Sequence, residues 1–394
     1  MKFTINRSQF NQLLTNANRA INPGGTIPAL QFVKLELTSQ KLVLTTSNSD
    51  LTIVQSIDTQ DDDNPITSIE SGSLLLPARF LLNVVKKMSG KQVTVTKTDE
   101  EVKAKITSDQ AKFNLPTLDT SAYPHLPGLE DATSVTLNVG SLKTLYRQEG
   151  FAAYGQETRP ILTGIFLTTD DEHQLIGYAT DSHRLSKSII ASQGLEKTDK
   201  LSIILPKDNL KHINGLVNGM DDATPVTLFF AEQDSVVKFQ VNNYQIYSRQ
   251  LTGNYPTVDR LIPESFTSSL TLDRKALLAV VERAQLSAQI NHNEVVQLDF
   301  NAKEQTAKLS TKASDSSNPS TEEQLVFDQL VSENDDQALS ISFNPSYLKD
   351  ALQAFQSDQV VLKFNKSLNP FIIKATGTDN DDQFIHLVTP IRTF

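Results

Sequence analysis

Cysteine is absent from this sequence, and so is any apolar stretch long enough to cross a membrane. Without cysteine there is no disulfide, no thiolate nucleophile and no cysteine-ligated zinc or iron–sulfur centre. A transmembrane helix needs about 18 consecutive apolar residues, and no run approaches that length. The opening MKFTINRSQF alternates polar with apolar side chains and lacks the apolar core of a signal peptide. We therefore expect a cytoplasmic protein without a membrane segment or a redox role.

The common catalytic motifs are missing too. The chain has no P-loop, no GxGxxG and no HExxH, and its six histidines show no metal-ligand spacing. Asp181, Ser182 and His183 offer the groups of a hydrolase triad, so an enzyme is the main alternative class. Adjacent side chains of an extended strand point to opposite faces, however, so Ser182 and His183 could bond only across a special turn. We expect no catalytic residue, no metal and no cofactor.

A long, degenerate repeat divides the 394 residues, which exceed the usual size of one hydrophobic core. Each copy starts with strand-like alternation, continues with a polar residue suited to capping a helix, and then takes helical spacing. The capping positions are Asn6, Asn138 and Asp273, the second and third lying 132 and 267 residues after the first. The repetition predicts three similar domains.

A second helical segment also occurs three times. Its copies begin near Pro77, Pro206 and Pro345, and we expect each proline to open a helix. Proline is favoured in the first helical turn because an N–H there would have no partner within the helix. Each repeat is therefore predicted to contain two helices.

Short alternating runs such as KLVLTTSN and QVTVTKTD surround these helices and are typical of half-buried antiparallel strands. The predicted fold class is α+β, with three repeated domains of two helices and antiparallel sheets. Clusters of turn residues place the domain boundaries at about 1–130, 131–264 and 265–394. The serine-rich, acidic stretch 312–323 is predicted to be a mobile surface loop.

The charge is distributed unevenly between the helices and the rest of the chain. The net charge of −10 argues against binding a polyanion, but the predicted helices carry 13 Lys and Arg against 6 Asp and Glu. They therefore have a net charge of +7, and the remainder has −17. The helix windows are residues 6–20, 76–90, 138–153, 205–220, 273–288 and 344–358.

If the helices of all three domains face one side, they form a basic surface that attracts duplex DNA through its phosphates, without reading bases. The alternative is that these residues serve only solubility, as Lys and Arg on exposed helices often do. The residues predicted to face DNA are Arg7, Arg19, Arg79, Lys86, Lys143, Arg147, Lys211, Arg274, Lys275 and Arg283.

Four segments carry a resemblance to a known family. ATDSHRLS at 179–186 is similar to an A-T-D-x-H-R-L signature, and RPILTG at 159–164 supports it. NYPTVDRLIP at 254–263 and the terminal TPIRTF at 389–394 match in order and spacing. On these segments the whole chain resembles the beta subunit of bacterial DNA polymerase III, the sliding clamp family.

The resemblance implies a non-catalytic processivity factor for DNA replication. In that family two subunits join head to tail, domain 1 to domain 3, as a homodimer that forms a six-domain ring with helices inside and sheets outside. The ring encircles double-stranded DNA without sequence specificity. Short hydrophobic peptides of the alpha-type polymerase subunit, the clamp loader, other polymerases and repair proteins bind a cleft between the second and third domains.

Carried over residue by residue, the resemblance implies a cleft of nineteen positions. The expected apolar floor is Leu162, Leu185, Leu261, Leu368 and Val388, and the residues expected to orient the peptide are His183, Arg184, Asn344 and Arg392. The other positions are Thr180, Ser182, Pro256, Arg260, Tyr347, Pro370, Leu387, Thr389, Pro390 and Ile391. Replacing Arg184 and Leu185 by Ala is expected to weaken peptide binding and to leave the fold and the dimer intact.

Two departures from the family pattern stand out. The turn after the first helix, residues 22–26, has no arginine where the family often has one, which puts a DNA contact there in doubt. Ser182 occupies a position where many relatives have glycine. A third class also stays open, a scaffold that binds proteins but no nucleic acid, and salt-dependent retention on DNA would distinguish it.

Overall fold

Six α-helices and twenty-six strands make up the described part of the chain in the computed structural model. The residues described are 1–60, 65–97, 103–126, 129, 132–170, 172–194, 201–231, 235–290, 294–311, 318–333, 338–376 and 383–392. The helices are α1 (Arg7–Ala17), α2 (Ala78–Lys87), α3 (Val139–Glu149), α4 (Lys207–Val217), α5 (Arg274–Ile290) and α6 (Pro345–Ala354). Among these residues, no helix combines the length and the apolar character that crossing a membrane requires.

The strands fall into three groups, one in each third of the chain. The first third contains β1 (Lys2–Asn6), β2 (Phe32–Leu37), β3 (Lys41–Ser47), β4 (Leu51–Asp58), β5 (Thr67–Glu70), β6 (Gly72–Pro77), β7 (Gln92–Thr96), β8 (Lys103–Ser108) and β9 (Ala111–Pro116). The second contains β10 (Thr133–Asn138), β11 (Gly164–Thr169), β12 (Leu175–Thr180), β13 (Arg184–Ile190), β14 (Ser202–Pro206), β15 (Pro225–Phe230), β16 (Val236–Val241) and β17 (Tyr244–Arg249). The third contains β18 (Ser268–Asp273), β19 (Val296–Asn301), β20 (Thr306–Thr311), β21 (Thr321–Gln324), β22 (Gln329–Ser332), β23 (Ala338–Phe343), β24 (Gln359–Phe364), β25 (Phe371–Ala375) and β26 (Phe384–Val388).

The predicted repeat is confirmed at the start of each helix. A strand leads directly into α1, α3 and α5, and a second strand leads into α2, α4 and α6. The side chains of Asn6, Asn138 and Asp273 each accept a hydrogen bond from a backbone N–H of the following first turn, at 2.9, 2.7 and 2.7 Å. These bonds satisfy donors that have no partner within the helix, which fixes where the strand ends.

Two of the three proline predictions were wrong by one residue. Pro345 is the first residue of α6, as predicted, but Pro77 and Pro206 are the last residues of β6 and β14. At a strand end the missing N–H removes only one bond of the sheet, and the fixed φ of proline suits extended backbone as well as a helix start. Pro77 has φ −60° and ψ 107°, which is extended.

The serine-rich stretch is only partly described. Residues 312–317 lie outside the described part, and residues 321–323 belong to β21, which pairs with β20 in antiparallel register. The prediction of a loop was therefore wrong for those last three residues. The cross-strand partner β20 decided the conformation, which composition alone does not reveal.

The chain divides into two compact units, and the sheets explain the division. The first unit comprises Met1–Leu142, Ser192–Asp199 and Asp208–Gln250; the second comprises Lys143–Ala191, Lys200–Lys207 and Leu251–Phe394. In the first unit β17 pairs with β4, so that strands of two repeats form one eight-stranded sheet, β10-β15-β16-β17-β4-β3-β2-β6. The unit also holds the five-stranded sheet β5-β1-β7-β8-β9, and α1 packs beside α2.

The second unit is built in the same way. Strand β13 pairs with β26, and this joins the second and third repeats in a nine-stranded sheet, β14-β11-β12-β13-β26-β25-β24-β18-β22. A four-stranded sheet, β21-β20-β19-β23, completes the unit, and α5 packs beside α6. Its core contains the fully buried rings of Phe343, Phe364 and Phe371, whose neighbouring centroids lie 5.2 and 5.3 Å apart.

Candidate functional site

The ATDSHRL segment forms the tight turn between β12 and β13. Ser182 lies at its tip with φ +77°, a left-handed conformation that costs little only for glycine. The carboxylate of Asp181 accepts hydrogen bonds from the backbone N–H groups of His183 and Arg184, at 2.9 and 3.0 Å. Thr180 donates its hydroxyl to the carbonyl oxygen of Arg184 at 2.6 Å. The Thr and Asp of the signature are thus turn-forming residues.

The guanidinium of Arg184 is the centre of a polar cluster beneath this turn. Its Nε donates to Asp181 Oδ2 at 2.9 Å, its Nη1 to Asp350 Oδ2 at 2.7 Å, and its Nη2 to the carbonyl oxygen of Phe151 at 2.6 Å. The group also lies 4.8 Å from the ring centroid of Tyr347 and 5.4 Å from that of Phe151. The Arg184 side chain is only 12% exposed. Its donors are therefore occupied by partners within the protein. From the sequence we instead expected them to orient a bound peptide.

The last strand, β26, closes the same region. Val388 is the cross-strand partner of Arg184, and Leu387 is that of Leu185. Beyond the strand, Thr389 donates its backbone N–H to the carbonyl oxygen of His183 at 2.9 Å, and the His183 ring stacks at 6.4 Å on that of Tyr347. Turn, strand β26 and helix α6 thus meet around one surface.

The predicted apolar floor is divided between core and surface. Leu185 and Val388 are 1% and 0% exposed and belong to the hydrophobic core, whereas Leu261 and Leu368 are 55% and 58% exposed. Leu162 is buried and at 9% reaches the edge of the surface. The idea that Arg184→Ala with Leu185→Ala affects only a surface was therefore wrong, because both side chains stabilise the interior.

The remaining positions sort by exposure in the same way. Asn344 accepts a hydrogen bond from the N–H of Ser346 and donates its amide to Glu294 at 3.1 Å, so it caps α6. Thr180 and Leu387 are buried. The half-buried positions are Asn344, Tyr347, Pro370, Pro390 and Ile391, and the exposed ones are Ser182, His183, Pro256, Arg260, Thr389 and Arg392.

Asp181, Ser182 and His183 do not form a triad in the described chain. The Ser182 hydroxyl accepts a hydrogen bond from Arg159 Nη1 at 2.8 Å. The Asp181 side chain is occupied by Arg184 and by backbone N–H groups, as described above. The imidazole of His183 lies against a tyrosine ring, so no base contacts the hydroxyl.

The basic residues predicted to face DNA differ in what they contact. Arg274 donates to the carbonyl oxygens of Ser357 and Leu352 at 2.7 and 3.0 Å, and Arg147 donates to that of Ala354. Both cations thus lie at the carboxyl end of α6, where they satisfy free carbonyl groups. The prediction that Arg147 and Arg274 face DNA is corrected in part, because these donors bond to backbone carbonyl groups within the protein.

The other eight basic residues are more accessible or pack on a helix. Arg19 is half-buried against Gly215 of α4, where a side chain would collide with its guanidinium. Arg283 forms an ion pair with Glu323. Arg7 and Lys143 are half-buried, and Arg79, Lys86, Lys211 and Lys275 are exposed.

Two titratable side chains are buried near the strands that carry the turn, Glu149 at the end of α3 and His386 on β26. Glu149 is fully buried and accepts a hydrogen bond from the Ser188 hydroxyl at 2.7 Å; burial raises its pKa well above the usual value, against the opposing effect of that bond. His386 is fully buried opposite Ser186, with Nδ1 2.9 Å from its hydroxyl. Burial, and then the nearby positive charge of Arg184, lower the pKa of His386 well below its usual value. Burial therefore favours the neutral form of both groups in the folded protein.

The sequence did not reveal the groups whose hydrogen bonds fix the side chains of the site. Asp350 lies 166 residues from Arg184, and Phe151 contributes a backbone oxygen that no motif encodes. Asp259, in the segment that precedes the third repeat, was also missed, although it bonds side chains of β12 and β13. A lone acidic residue in α6 or in a connecting segment gives no signal in a single sequence.

Removing the Arg184 side chain is expected to destabilise the fold. Arg184→Ala leaves the carboxylates of Asp181 and Asp350 without their cation in a partly desolvated site, and the free energy of unfolding should fall by about 3 kcal/mol. Chemical denaturation monitored by circular dichroism measures this. Arg159→Ala, which removes an exposed arginine with one side-chain hydrogen bond, serves as the control. A loss no larger than that of the control would contradict the assigned role.

Stability should depend on pH through Glu149. In the unfolded chain its carboxyl ionises near the ordinary value, whereas burial raises its pKa in the folded protein, so wild-type stability falls as pH rises between the two pKa values. Glu149→Gln stays neutral and can still accept the Ser188 bond. We expect it to gain stability over the wild type between pH 6.5 and 9, by at most about 1.4 kcal/mol per pH unit. His386 is present in both proteins, so its titration does not contribute to the difference between them.

The control for that pH series is Glu282→Gln, which changes an exposed carboxylate of α5 in the same unit. Urea denaturation of the three proteins at each pH gives the comparison. A stability difference between Glu149→Gln and the wild type that stays constant over this range would show that Glu149 is ionised in the folded state.

Known proteins match this chain over its whole length. Residues 1–127, 136–257 and 259–392 match the N-terminal, central and C-terminal domains of the DNA polymerase III beta subunit. A beta sliding clamp of Staphylococcus aureus is 34% identical over 397 residues and covers 100% of both chains. The sliding clamp of Bacillus subtilis superimposes with TM-score 0.91 at 29% identity, and the beta chain of Streptococcus pneumoniae with 0.90 at 32%, each covering 100% of both chains. The chain belongs to the beta subunit family of DNA polymerase III, the bacterial sliding clamps.

Proposed function

We propose that two copies of this chain close into a ring around duplex DNA and tether the replicative polymerase to it, without catalysing a reaction themselves. The observation that carries the proposal is the match of all three clamp domains, in order, over the full length of the chain. We place the domain boundaries at about 1–130, 131–264 and 265–394 and the protein in the cytoplasm.

DNA is proposed to contact the exposed basic side chains of the helices. Arg79, Lys86 and Lys211 are exposed, and within the described chain the structure gives them no ion pair. Lys275 lies 4.0 Å from Asp358, but both side chains are more than 70% exposed, so this pair contributes little. Such cations bind phosphates without reading bases, which permits sliding. Arg7, Arg19, Lys143, Arg147, Arg274 and Arg283 are proposed as secondary contacts.

A head-to-tail dimer would cover the ends of the sheets. Strands β9 and β21 are each the last described strand of a sheet, and an open strand edge promotes association with other chains. Both domains also expose large apolar side chains, with Phe80 and Phe113 in domain 1, and Leu286 and Ile290 in domain 3. Because two copies joined domain 1 to domain 3 form two equivalent interfaces, the assembly closes.

Partner proteins are proposed to bind the surface formed by the β12–β13 turn, the connecting segment and the end of β26. The accessible apolar side chains there are Leu261 and Leu368, and the exposed His183 and the half-buried Tyr347 add ring surface. A short hydrophobic peptide of a polymerase alpha-type subunit, the clamp loader, another polymerase or a repair protein would anchor its apolar residues on these groups. The site needs no cofactor or metal.

Topological retention on DNA tests the ring. The protein is loaded onto nicked circular DNA by its cognate clamp loader, separated from free protein by gel filtration, and the circles are then cut. We expect the protein to stay on circles in high salt, which weakens phosphate contacts, and to leave linear DNA from its ends.

Retention that is equal on circles and on linear DNA would indicate groove binding and contradict the ring. Failure to be retained on any DNA, with a loader that is active on a control clamp, would favour the protein-binding scaffold. An uncut circle carried through the same steps controls for spontaneous dissociation.

Removing an exposed leucine should weaken peptide binding. Leu368→Ala shortens a side chain that is mostly exposed, and affinity for a fluorescent peptide with the clamp-binding segment of the replicative polymerase should fall about tenfold. Fluorescence anisotropy measures the affinity. Val326→Ala, at a residue 87% exposed in the same unit, is the matched control and should leave it unchanged. Equal affinities of Leu368→Ala and wild type would remove Leu368 from the site.

A further inference from the structure

A carboxylate in the connecting segment is held by two side chains of the neighbouring sheet. Tyr178 on β12 donates its hydroxyl to Asp259, lying 2.7 Å from both carboxylate oxygens, and Lys187 on β13 reaches Oδ1 at 2.8 Å. Tyr178 and Lys187 are direct cross-strand partners, so both side chains rise from one face of the sheet. The Lys187 ammonium also lies 5.4 Å from the Tyr178 ring. The sheet thus offers a preformed pair of donors to this carboxylate.

The residues on either side of Asp259 divide between interior and surface. Val258 is 5% exposed and packs in a cluster with Tyr178 and Leu185. Residues 259–261 form one turn of 3-10 helix, closed by a hydrogen bond from the N–H of Leu261 to the carbonyl oxygen of Val258 at 3.0 Å. The turn directs Arg260 and Leu261 outward, with Leu261 55% exposed. Val258 anchors the segment, and Asp259 bonds it to the sheet immediately before the exposed pair.

The Tyr178 hydroxyl is the stronger part of this contact. The exposed ion pair of Lys187 with Asp259 alone contributes little, since water screens it. Tyr178 is 3% exposed, its ring stacks on that of Phe166, and Phe166 stacks on Tyr255 at 4.9 Å. A hydroxyl fixed in such a stack has few other partners, so losing its acceptor is costly. Burial opposes ionisation of Asp259, but the hydrogen bonds from Lys187 and Tyr178 outweigh it and lower the pKa of that carboxyl.

We propose that Asp259 is a positioning residue for peptide binding, which holds the turn 259–261 against the sheet so that Arg260 and Leu261 are presented in fixed positions. The inference rests on the peptide site of the proposed function. A surface that is ordered before binding loses less conformational entropy when the peptide arrives, so affinity rises without any contact between Asp259 and the peptide. Asp259 therefore acts only through its two neighbours.

A double-mutant cycle with the full-length protein separates this role from a general loss of stability. The probe is the fluorescent peptide with the clamp-binding segment of the replicative polymerase. Asp259→Asn keeps the size of the side chain, but it replaces one of the two acceptor oxygens by an NH2 donor and removes the charge that strengthens the bond from Tyr178, and we expect about fivefold weaker binding. In a chain that already carries Arg260→Ala and Leu261→Ala, the same substitution should change affinity less than about twofold, because the residues that it positions are gone.

Two further variants strengthen the test. Glu264→Gln removes an exposed carboxylate of the same segment and should leave affinity unchanged in both backgrounds. Tyr178→Phe removes only the donor hydroxyl and should weaken binding in the same direction as Asp259→Asn; it replaces that variant if Asp259→Asn does not fold. Both retain the apolar contacts around Val258.

The outcomes distinguish this inference from the function on which it rests. Equal losses from Asp259→Asn in both backgrounds would mean that it acts on stability or elsewhere, and would overturn the positioning role. No loss from Asp259→Asn in the wild-type background, with a clear loss from Arg260→Ala and Leu261→Ala, would overturn it too and leave the peptide site intact. If removing Arg260 and Leu261 has no effect, the peptide site itself is misplaced.

Discussion

The compensation of one positive charge that is largely shielded from solvent organises the region of the proposed peptide site. The guanidinium of Arg184 cannot remain in a partly desolvated position unless its donors and its charge are matched there. Asp181 from its own turn, Asp350 from α6 and the carbonyl oxygen of Phe151 after α3 supply that match. Because these partners come from the second and third repeats, one side chain joins elements that the sequence separates by up to 166 residues. These contacts therefore hold in place the turn and the helix that form the surface around Arg184.

Strand pairing across the repeats provides the second constraint. Strand β13 pairs with β26, and β17 pairs with β4, so each large sheet combines strands of two repeats. The compact units of the chain therefore cut through the middle repeat. His386 lies opposite Ser186 in the β13–β26 pairing and shares a hydrogen bond with it. Because burial favours the neutral imidazole, protonation of His386 would disturb this strand pairing. The proposed peptide surface lies at one end of this pairing.

Local signals in the sequence predicted much of the fold. Capping residues such as Asn138 located three of the helices and the segments that begin near the three prolines located the other three, since these patterns reflect contacts within a few residues. Pro77 and Pro206 were misassigned because a strand end and a helix start accept the same proline conformation. The charge pattern identified basic helices. It could not reveal that Arg274 donates a hydrogen bond to the carbonyl oxygen of Leu352 in α6, since this contact joins residues far apart in the sequence.

The site was predicted less completely, for the same reason. The ATDSHRL segment marked the correct turn, but a pattern cannot separate Leu185, which is buried, from Leu261, which is exposed. Asp350 and Asp259 act through partners on other elements, and their own neighbourhoods in sequence are unremarkable. Burial and long-range hydrogen bonds decide these roles, and a single sequence records neither.

A crystal structure of the protein with a bound clamp-binding peptide tests the central claim most directly, namely that Arg184 builds the peptide surface from below while exposed groups contact the ligand. The account predicts peptide density on Leu261 and Leu368, with the hydrogen bonds of Arg184 to Asp181 and Asp350 unchanged. Density that shows Arg184 released from Asp350 and bonded to the peptide would contradict it, and so would a peptide bound away from these leucines.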